Sequence, residues 1–398
     1  MPSVCFTFEV HQPCRLGDYR FFDIGVKDVY EDEARNRELM TKAAKRCYLP
    51  MNELLLELIE RLQGRFRVSF AMTGTFAEQC AKYAPEVLES FKKLAKTGYV
   101  EFLGQPDTHS LAGVFSEDDF RAQVQRHSAR MKDLFGQEPR AFRNTELIYS
   151  NRIARLAEEL GFSAILAEGA EQVLDWRSPN FVYHAEDCHD MKLMLKSRSL
   201  SDDITFRFTD GSWAGYPLMA ETYAGWLKDV KGNGDVVNLC MDYETFGEYL
   251  RAETGILDFM RALPELVLAD PDLDFLTVSE AAARYNVRDW LNIPHCVCWA
   301  DEAGKAHELA PWVGNDMQKD TLRALYDCKA LVEEAGDPAL TKTWHMLQAA
   351  DHFRCMDTRP AAENGARKYA YSNPMEAYSN FMNILADFRI RLLAAASR

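Results

Sequence analysis

The 398-residue chain carries 46 Lys and Arg residues against 61 Asp and Glu residues, which gives a formal net charge of −15. This negative charge argues against nucleic acid or an anionic membrane surface as a partner. With 47% hydrophobic and 27% charged residues, the composition is that of a soluble globular protein. Its length suits two to three domains, or one large barrel with an added domain.

The cysteine pattern and the first residues indicate a reduced, cytoplasmic protein. The ten cysteines are scattered and none forms a CxxC pair, which is not the pattern of a disulfide framework. The start, MPSVCFTFEV, has strand character at once and lacks the basic and apolar segments of a signal peptide. Since no stretch approaches the roughly 20 apolar residues of a membrane span, we expect no membrane partner.

In chain order, residues 1 to about 285 alternate strand-like with helix-like runs. VCFTFEV (4–10) has the period of two of a strand, and MNELLLELIERLQG has helical spacing and ends at Gly64. Further strands are predicted in RVSFAMTG, YVEFLGQ, RAFRNTE, FSAILAEG, VVNLCMDYE and LDFLTVS, with helices between most of them. Alternating strands and helices predict an α/β fold with a parallel sheet, and about seven units favour closure into a barrel.

Two regions depart from this alternation. Residues 170–230 are irregular and compatible with a β insertion. From about residue 300 the pattern changes to long helical runs such as DMQKDTLRALYDCKALVEEAG. We therefore predict a catalytic β/α domain over residues 1–290 and a helical C-terminal domain over 291–398. The two are expected to pack tightly, with the helical part contributing to the active-site groove.

Several predicted strands end in polar side chains, which is where parallel barrels place their catalytic groups. Taken alone, Asp242 could be a helix cap and His11 a structural histidine. Four polar strand ends that converge on one barrel mouth instead predict a functional pocket. The residues concerned are His11, Gln12, Glu101, Asp107, His109, Arg143, Asn144, Glu146, Asp242, Glu244 and Glu248.

Two carboxylates from different strands, Glu146 and Asp242, fit the needs of glycosidic bond cleavage. One must be ionised to attack or stabilise the sugar cation, and the other must be protonated to donate to the leaving oxygen. An inward-pointing Arg143 would help to keep Glu146 anionic, and the apolar run VVNLCM before Asp242 would favour its protonated form. These surroundings only weakly indicate which carboxylate plays which part.

Aromatic residues support a carbohydrate groove. Sugar rings present apolar faces that pack on aromatic planes, and four tryptophans lie in loop-like contexts where such platforms would be exposed. We expect Trp290 and Trp344 to be core residues instead. The four loop tryptophans are Trp213, Trp226, Trp299 and Trp312.

A metal site and other chemistries find less support. The segment HAEDCHD (184–190) offers two histidines and three acidic residues, but its spacing matches no strong ligand pattern. We interpret it as a solvated polar loop, and we predict neither a metal nor another cofactor. The chain has no P-loop, no GxGxxG after a strand and no GxSxG, so nucleotide binding and serine hydrolysis are not indicated.

At these motifs the chain resembles glycoside hydrolase family 57, and the resemblance extends over most of its length. FRNTELIY resembles the region that holds the family's nucleophile, and MDYETFGE the region that holds its general acid/base. The other similar segments are HQP, YVEFLGQPDTHSL, FLTVSEAAARY, WADEAGKAHELAPWVGNDMQ, LQAADHFRCM and NPMEAYSNFMNILADF. The last three resemble the helical segments of the family's α-amylase-type branch.

The resemblance implies an incomplete seven-stranded β/α barrel with a helical domain, and retaining chemistry without a metal. It makes Glu146 the nucleophile and Asp242 the acid/base, which retaining chemistry requires to lie roughly 5–5.5 Å apart. The chain departs from the family at GQPDTHS, where a glutamate is expected before the histidine. The implied substrate-binding residues are His11, Gln12, Glu101, His109, Arg143, Glu244, Trp299, Trp312, Asp351 and His352.

The leading hypothesis is a retaining enzyme that cleaves α-1,4 bonds in maltodextrin, starch or glycogen-type glucans. A 4-α-glucanotransferase or branching enzyme would form the same covalent intermediate and differ only in its acceptor. A catalytically silent α-glucan-binding protein is the alternative from another class, and a metal-dependent deacetylase on a similar barrel is a fourth. The sequence leaves the oligomeric state open.

Overall fold

The computed structural model describes residues 2–299, 309–359 and 371–397. Ten strands form most of the framework that positions the polar residues. In chain order they are β1 (Ser3–Val10), β2 (Val68–Met72), β3 (Val100–Phe102), β4 (Ala141–Arg143), β5 (Ala164–Ala167), β6 (Val182–Ala185), β7 (Lys192–Leu195), β8 (Val236–Asp242), β9 (Asp274–Phe275) and β10 (Trp290–Leu291).

Helices connect the strands and make up almost all of the described chain after residue 309. Short 3₁₀ turns over Thr145–Leu147 and Tyr243–Thr245 follow β4 and β8 directly. The α-helices are α1 (Glu33–Ala43), α2 (Leu49–Arg61), α3 (Gly74–Tyr83), α4 (Pro85–Lys96), α5 (Ala112–Phe115), α6 (Glu117–Phe135), α7 (Asn151–Glu159), α8 (Glu171–Leu174), α9 (Arg198–Thr205), α10 (Ala220–Asp229), α11 (Ile256–Leu268), α12 (Val278–Arg284), α13 (Ala310–Val313), α14 (Asp316–Tyr326), α15 (Lys329–Ala335), α16 (Pro338–Leu347), α17 (Ala350–Arg354) and α18 (Pro374–Ala396).

The strands form two five-stranded sheets. The first has the order β3-β2-β1-β8, with β9 also paired to β1, and all of its pairs are parallel. The second has the order β10-β6-β7-β5-β4, in which only the β6–β7 pair is antiparallel. The α/β class with parallel strands is thus confirmed, because helical crossovers are what allow consecutive strands to run parallel.

The barrel expected from the sequence, an incomplete one of seven strands, is not confirmed, and the described strands form no closed barrel. The continuous ladders stay within the two sheets, and among the described residues isolated single-residue parallel bridges join one sheet to the other. Gly104 pairs with Phe142 between β3 and β4, and Lys196 pairs with Asn238 between β7 and β8. The sequence pattern predicts about seven strands where the described chain has ten, and it carries no information on whether the edge strands complete their ladders.

Three apolar clusters account for the packing. One lies between the first sheet and its helices, and it includes Phe6, Phe8 and Phe70. A second joins the second sheet to the C-terminal helices. The third is built from smaller side chains of both sheets, such as Cys5, Ala71, Ala141 and Ala164, together with residues of α12. Because successive strand residues face opposite sides, β1 gives its phenylalanines to the first cluster and Cys5 to the third.

The region over residues 170–230 is partly integrated into the sheet. Its β6 and β7 form an antiparallel pair, and β7 also runs parallel to β5. The expected β insertion is therefore present as part of the second sheet. The division into domains at residue 290 stays a prediction. All ten cysteines are free thiols, and among the described helices none is long and apolar enough to cross a membrane.

Candidate active site

The carboxyl ends of β1, β4 and β8 bring the candidate catalytic residues together. Glu9, near the end of β1, is in register with Asp242, the last residue of β8. Glu146 follows β4 in a turn where its backbone adopts φ +53° and ψ +29°. This left-handed conformation is uncommon for a residue other than glycine and costs on the order of 1–3 kcal/mol. Its presence indicates that the surrounding contacts fix this turn.

His109 links Glu146 to a second buried carboxylate. Its Nε2 lies 3.2 Å from Oε1 of Glu146, and its Nδ1 lies 3.3 Å from Oε1 of Glu9. His109 is fully buried, and Glu9 is 2% exposed. Burial acts to lower the pKa of His109, but the charges of Glu9, Glu146 and Asp351 outweigh it and raise the pKa above its ordinary value. His109 is therefore a basic side chain placed between two carboxylates, Glu9 and Glu146.

Arg143 points inward as expected, but its partner differs from the expected one. Its Nη2 donates to Oε2 of Glu9 at 2.5 Å, and its Nη1 donates to the carbonyl oxygen of Asn144. The Asn144 amide in turn donates to the carbonyl of Ile148 and closes the turn. The hydrogen bonds of Arg143 thus go to Glu9 and Asn144, and its electrostatic support of Glu146 stays a prediction.

His11 and Asp351 join the same cluster from opposite ends of the chain. Nε2 of His11 lies 2.9 Å from Oδ2 of Asp351 on α17, and its Nδ1 lies 2.9 Å from the hydroxyl of Thr73. The rings of His11 and His109 stack with their centroids 4.1 Å apart. Burial and the neighbouring His109 lower the pKa of His11, although the charge of Asp351 acts in the opposite direction.

Glu244 and Gln12 belong to a hydrogen-bonded group beside Asp242. The hydroxyl of Tyr48 donates to Oε1 of Glu244 at 2.5 Å, and it accepts from Nε2 of Gln12 at 3.0 Å. Arg15 donates in turn to Oε1 of Gln12. This chain of contacts fixes the turn after β8, which carries both Asp242 and Glu244.

Trp299 approaches the candidate nucleophile through its backbone. Its N–H donates to the carbonyl oxygen of Glu146 at 2.8 Å. Its ring lies under Nζ of Lys196, 4.2 Å from the ring centroid, in a cation–π contact. Lys196 is buried and paired with Glu168 and Asp202, and these carboxylates hold its pKa above the usual value although burial acts in the opposite direction. The position of Trp299 is thus tied to that of Glu146.

Three of the predicted binding residues lie elsewhere. Glu101 points toward the first turn of α12, where the N–H and hydroxyl of Ser279 donate to it. Trp312 is only 3% exposed and packs among the C-terminal helices, so the expectation of an exposed platform there is corrected. His352 directs Nε2 to the carbonyl of Met346 and packs on Phe381. A residue's place in a strand or motif does not determine the direction of its side chain, which depends on local packing.

The remaining tryptophans and the HAEDCHD segment also have definite positions. Trp344 is buried as expected, whereas Trp290 is 53% exposed and stacks on His184, so its assignment to the core is wrong. His184 directs Nε2 to the carbonyl of His189 within the same segment. Part of the similar segment WADEAGKAHELAPWVGNDMQ, residues 300–308, lies outside the described residues.

Sequence reasoning missed Glu9, Thr73 and Lys196. Glu9 is the one charged residue in an otherwise apolar strand, VCFTFEV, and a charge in a buried strand is a signal that could have found it. Lys196 similarly follows the buried strand KLML. Thr73 also caps α3 by accepting from the N–H of Phe76, so its contact with His11 has no separate sequence signal.

Comparison with known proteins decides the family. The model of glycosyl hydrolase family 57 matches residues 5–294. A Methanocaldococcus jannaschii protein named "Putative alpha-amylase" is 38% identical over 399 residues, which cover 97% of this chain and 84% of that protein. The chain belongs to glycosyl hydrolase family 57. It is therefore a carbohydrate-active enzyme of the glycoside hydrolase class.

Solved structures in this family share the fold at low identity. The branching enzyme of Pyrococcus horikoshii gives a TM-score of 0.67 at 15% identity and covers 96% of this chain and 88% of that one. The α-amylase AmyC of Thermotoga maritima gives 0.63 at 12%, covering 100% and 97%. The 4-alpha-glucanotransferase of Thermococcus litoralis gives 0.66 at 14%, covering 88% of this chain but 56% of that one. At these identities the likeness concerns the fold alone.

Proposed function

We propose that this family 57 enzyme hydrolyses α-1,4-glucosidic bonds in maltodextrin-type glucans with retention of configuration. Glu146 is the proposed nucleophile and Asp242 the general acid/base. The observation that carries the proposal is the contact of 3.2 Å between Glu146 and a buried His109. A carboxylate that must attack a sugar carbon has to be ionised and oriented, and this contact serves both needs.

The proposed reaction proceeds in two displacements. The Glu146 carboxylate attacks the anomeric carbon while the bond to the leaving oxygen breaks, and Asp242 gives its proton to that oxygen. Asp242 then takes a proton from water, which attacks the anomeric carbon and releases Glu146. The register of β1 with β8 pairs Asp242 with Glu9. Glu9 contacts His109, and His109 contacts Glu146. Trp299 is the proposed sugar platform near this pair.

For the fold, we propose that the two sheets form the two parts of an incomplete seven-stranded barrel. The supporting observations are the two single-residue bridges between the sheets and the shared cluster of small side chains. An inner layer of strand residues is what a barrel interior requires. Strands β6, β9 and β10 would then lie outside the ring of seven.

The proposal is tested with maltoheptaose. We expect Glu146→Gln and Asp242→Asn each to lower kcat by at least about 10³-fold, because each removes a group that takes part directly in bond breaking. Chromatography should show shorter maltooligosaccharides from the wild-type enzyme, and NMR should show the α-anomer as the first product. Glu101→Gln is the matched control and should retain activity. Full activity of Glu146→Gln would refute the assignment, and products longer than maltoheptaose would assign glucan transfer.

A further inference from the structure

One face of α6 is polar although it lies largely inside the protein. Gln123 and His127 are fully buried, and the side chains of Arg126 and Arg130 are mostly buried. Because these positions are three or four residues apart, they lie on the same side of the helix. A buried polar face requires partners. Nε2 of His127 has one in the carbonyl oxygen of Met72, 2.8 Å away at the end of β2.

The two arginines hold a buried carboxylate in the loop after β3. Nε and Nη2 of Arg130 donate to the two carboxylate oxygens of Asp107 at 3.0 and 3.1 Å, and Nε of Arg126 donates to Oδ2 at 2.9 Å. Burial acts to raise the pKa of Asp107, but the hydrogen bond from Arg130 and the charges of both arginines outweigh it and lower the pKa. Asp107, a candidate pocket residue in the sequence, thus directs an ionised side chain to α6 through three charge-assisted hydrogen bonds.

Gln123 holds the next residues of the same loop. Its Oε1 accepts from the hydroxyls of Thr108 and Ser110, each at 2.9 Å. Its Nε2 donates to Oε1 of Gln348, which follows α16, at 2.9 Å. The polar face of α6 therefore fixes the loop after β3 and ties it to the turn between α16 and α17.

His109 lies within this loop and has an uncommon backbone conformation. Its φ of +55° is in the left-handed region, which a residue other than glycine keeps only where its surroundings determine it. Its carbonyl oxygen accepts from the N–H of Ala350 at 2.9 Å, and the carbonyl of Asp107 accepts from the N–H of Gly74 at 2.8 Å. The loop is thus held on both sides of the residue whose ring lies 3.2 Å from Glu146.

We propose that Asp107 is a positioning residue of the active site. Its ion pairs with the two arginines of α6 fix the loop, and the loop holds His109 in contact with Glu146. A carboxylate nucleophile must be aligned with the sugar carbon that it attacks, and a displacement of about 1 Å can lower the rate about 100-fold. The inference rests on the proposed function, because that function makes Glu146 the nucleophile. Asp107 acts through His109 and takes no part in bond breaking.

Turnover of maltoheptaose by the full-length enzyme tests the positioning. We expect Asp107→Asn to lower kcat about 10- to 100-fold with little change in KM, because alignment in the transition state is lost and substrate binding is not. Arg130→Lys keeps the charge but not the two-point contact, so it should lower kcat by a smaller factor. Glu78→Gln is the matched control, since Glu78 contacts the same arginine on its exposed side and should keep the wild-type kcat. Wild-type kcat in Asp107→Asn would overturn the proposal, and Arg130→Lys decides if that variant does not fold.

NMR of the histidine side chains tests the positioning without turnover. In full-length enzyme labelled with ¹⁵N-histidine, the ring signals of His109 are assigned by comparison with His109→Gln. Asp107→Asn should shift these signals and leave those of His184, on β6 of the second sheet, unchanged. Unchanged His109 signals in Asp107→Asn would overturn the proposal even if kcat fell, because the fall would then reflect a less stable fold. Full activity of Glu146→Gln would refute the hydrolase assignment, whereas the NMR result would still report whether Asp107 positions His109.

Discussion

At the scale of single residues, the site consists of buried charges that compensate one another. Arg143, Glu9, His109 and Glu146 form a continuous series of contacts in which basic side chains alternate with carboxylates. Such an arrangement is stable only while each charge keeps its partner, because an unpaired charge in the interior loses the solvation that water would provide. The residue-scale predictions follow from this balance.

Removal of Arg143 should destabilise the folded protein, because a buried carboxylate loses its guanidinium partner. Arg143→Met leaves the buried Glu9 without its guanidinium partner and should lower the free energy of unfolding by about 3–5 kcal/mol, measured by urea denaturation. Arg20→Met, which breaks an exposed pair with Asp18, should have little effect. The double variant Glu9→Gln/Arg143→Met should recover part of the loss. A loss in Arg143→Met no larger than that in Arg20→Met would contradict this account.

Glu101 should affect stability without affecting catalysis. Its burial raises its pKa above the ordinary value, although hydrogen bonds from Ser279 and Ser69 act to lower it. A carboxyl with a raised folded-state pKa stabilises the protein below its unfolded value of about 4.3 and loses that contribution as pH rises through the folded value. The free energy of unfolding should therefore decline less with rising pH in Glu101→Gln than in the wild type. An identical pH profile for the two proteins would contradict the assignment.

At the scale of elements, the turns after the strands determine where the catalytic carboxylates point. Glu146 lies in a left-handed turn after β4, and Asp242 and Glu244 lie at a turn after β8. The second turn continues to Gly247, at φ +122°, where a Cβ atom would lie 1.9 Å from the carbonyl oxygen of Arg46. The backbones of this turn and of the chain before α2 therefore approach too closely for any other residue.

Gly247→Ala should disrupt the turn after β8. Because the clash is with backbone and the φ value is unfavourable for an L-residue, we expect a loss of about 3 kcal/mol or more in the free energy of unfolding. Displacement of the turn should also reduce kcat. Gly211→Ala is the matched control, since nothing lies within 4 Å of its added Cβ. If thermal denaturation gave the two variants equal stability, the turn would have accommodated the added methyl group without cost, and the prediction would be wrong.

At the scale of the whole molecule, the C-terminal helices complete the catalytic part. Asp351 on α17 reaches His11, and α18 holds the segment that follows β1. Asp387 on α18 accepts from the hydroxyl of Tyr30 at 2.5 Å and from the N–H of Gly25 at 2.7 Å. The two ends of the chain are thus joined by buried polar contacts, and we expect them to unfold together.

Asp387→Asn should weaken this connection in a pH-dependent way. Burial acts to raise the pKa of Asp387, but hydrogen bonds from Tyr30, Gly25 and Arg391 outweigh it and lower the pKa. A lowered folded-state pKa contributes stability above the unfolded value of about 3.9, and that contribution is lost as pH falls through the folded value. Thermal denaturation should therefore show a lower Tm for Asp387→Asn at pH 7 and convergence with the wild type in acid.

A second carboxylate on the C-terminal helices provides the control for this experiment. Asp320 accepts from the hydroxyl of Tyr378, but that bond joins two helices of the same region. Asp320→Asn should therefore change Tm less than Asp387→Asn. The account would be contradicted if the two variants had the same Tm at every pH.

The sequence by itself determined the strand and helix alternation, the polar strand ends and the family. Period-two and helical patterns are local, and FRNTELIY and MDYETFGE are contiguous, so both can be read without knowing the fold. It therefore predicted Glu146, Asp242, His11 and His109 as neighbours of one pocket before any distance was known.

Only the tertiary structure decided which side chains touch. Glu9 pairs with Arg143 across 134 positions of sequence, and His11 pairs with Asp351 across 340. Glu101 is a strand residue with the right chemistry, yet α12 occupies the space it faces. Trp312 has a loop-like context, yet other helices cover its ring. Packing between segments that are distant in the sequence determines where these side chains point. Local periodicity reports only the spacing of nearby residues, so it cannot predict that packing.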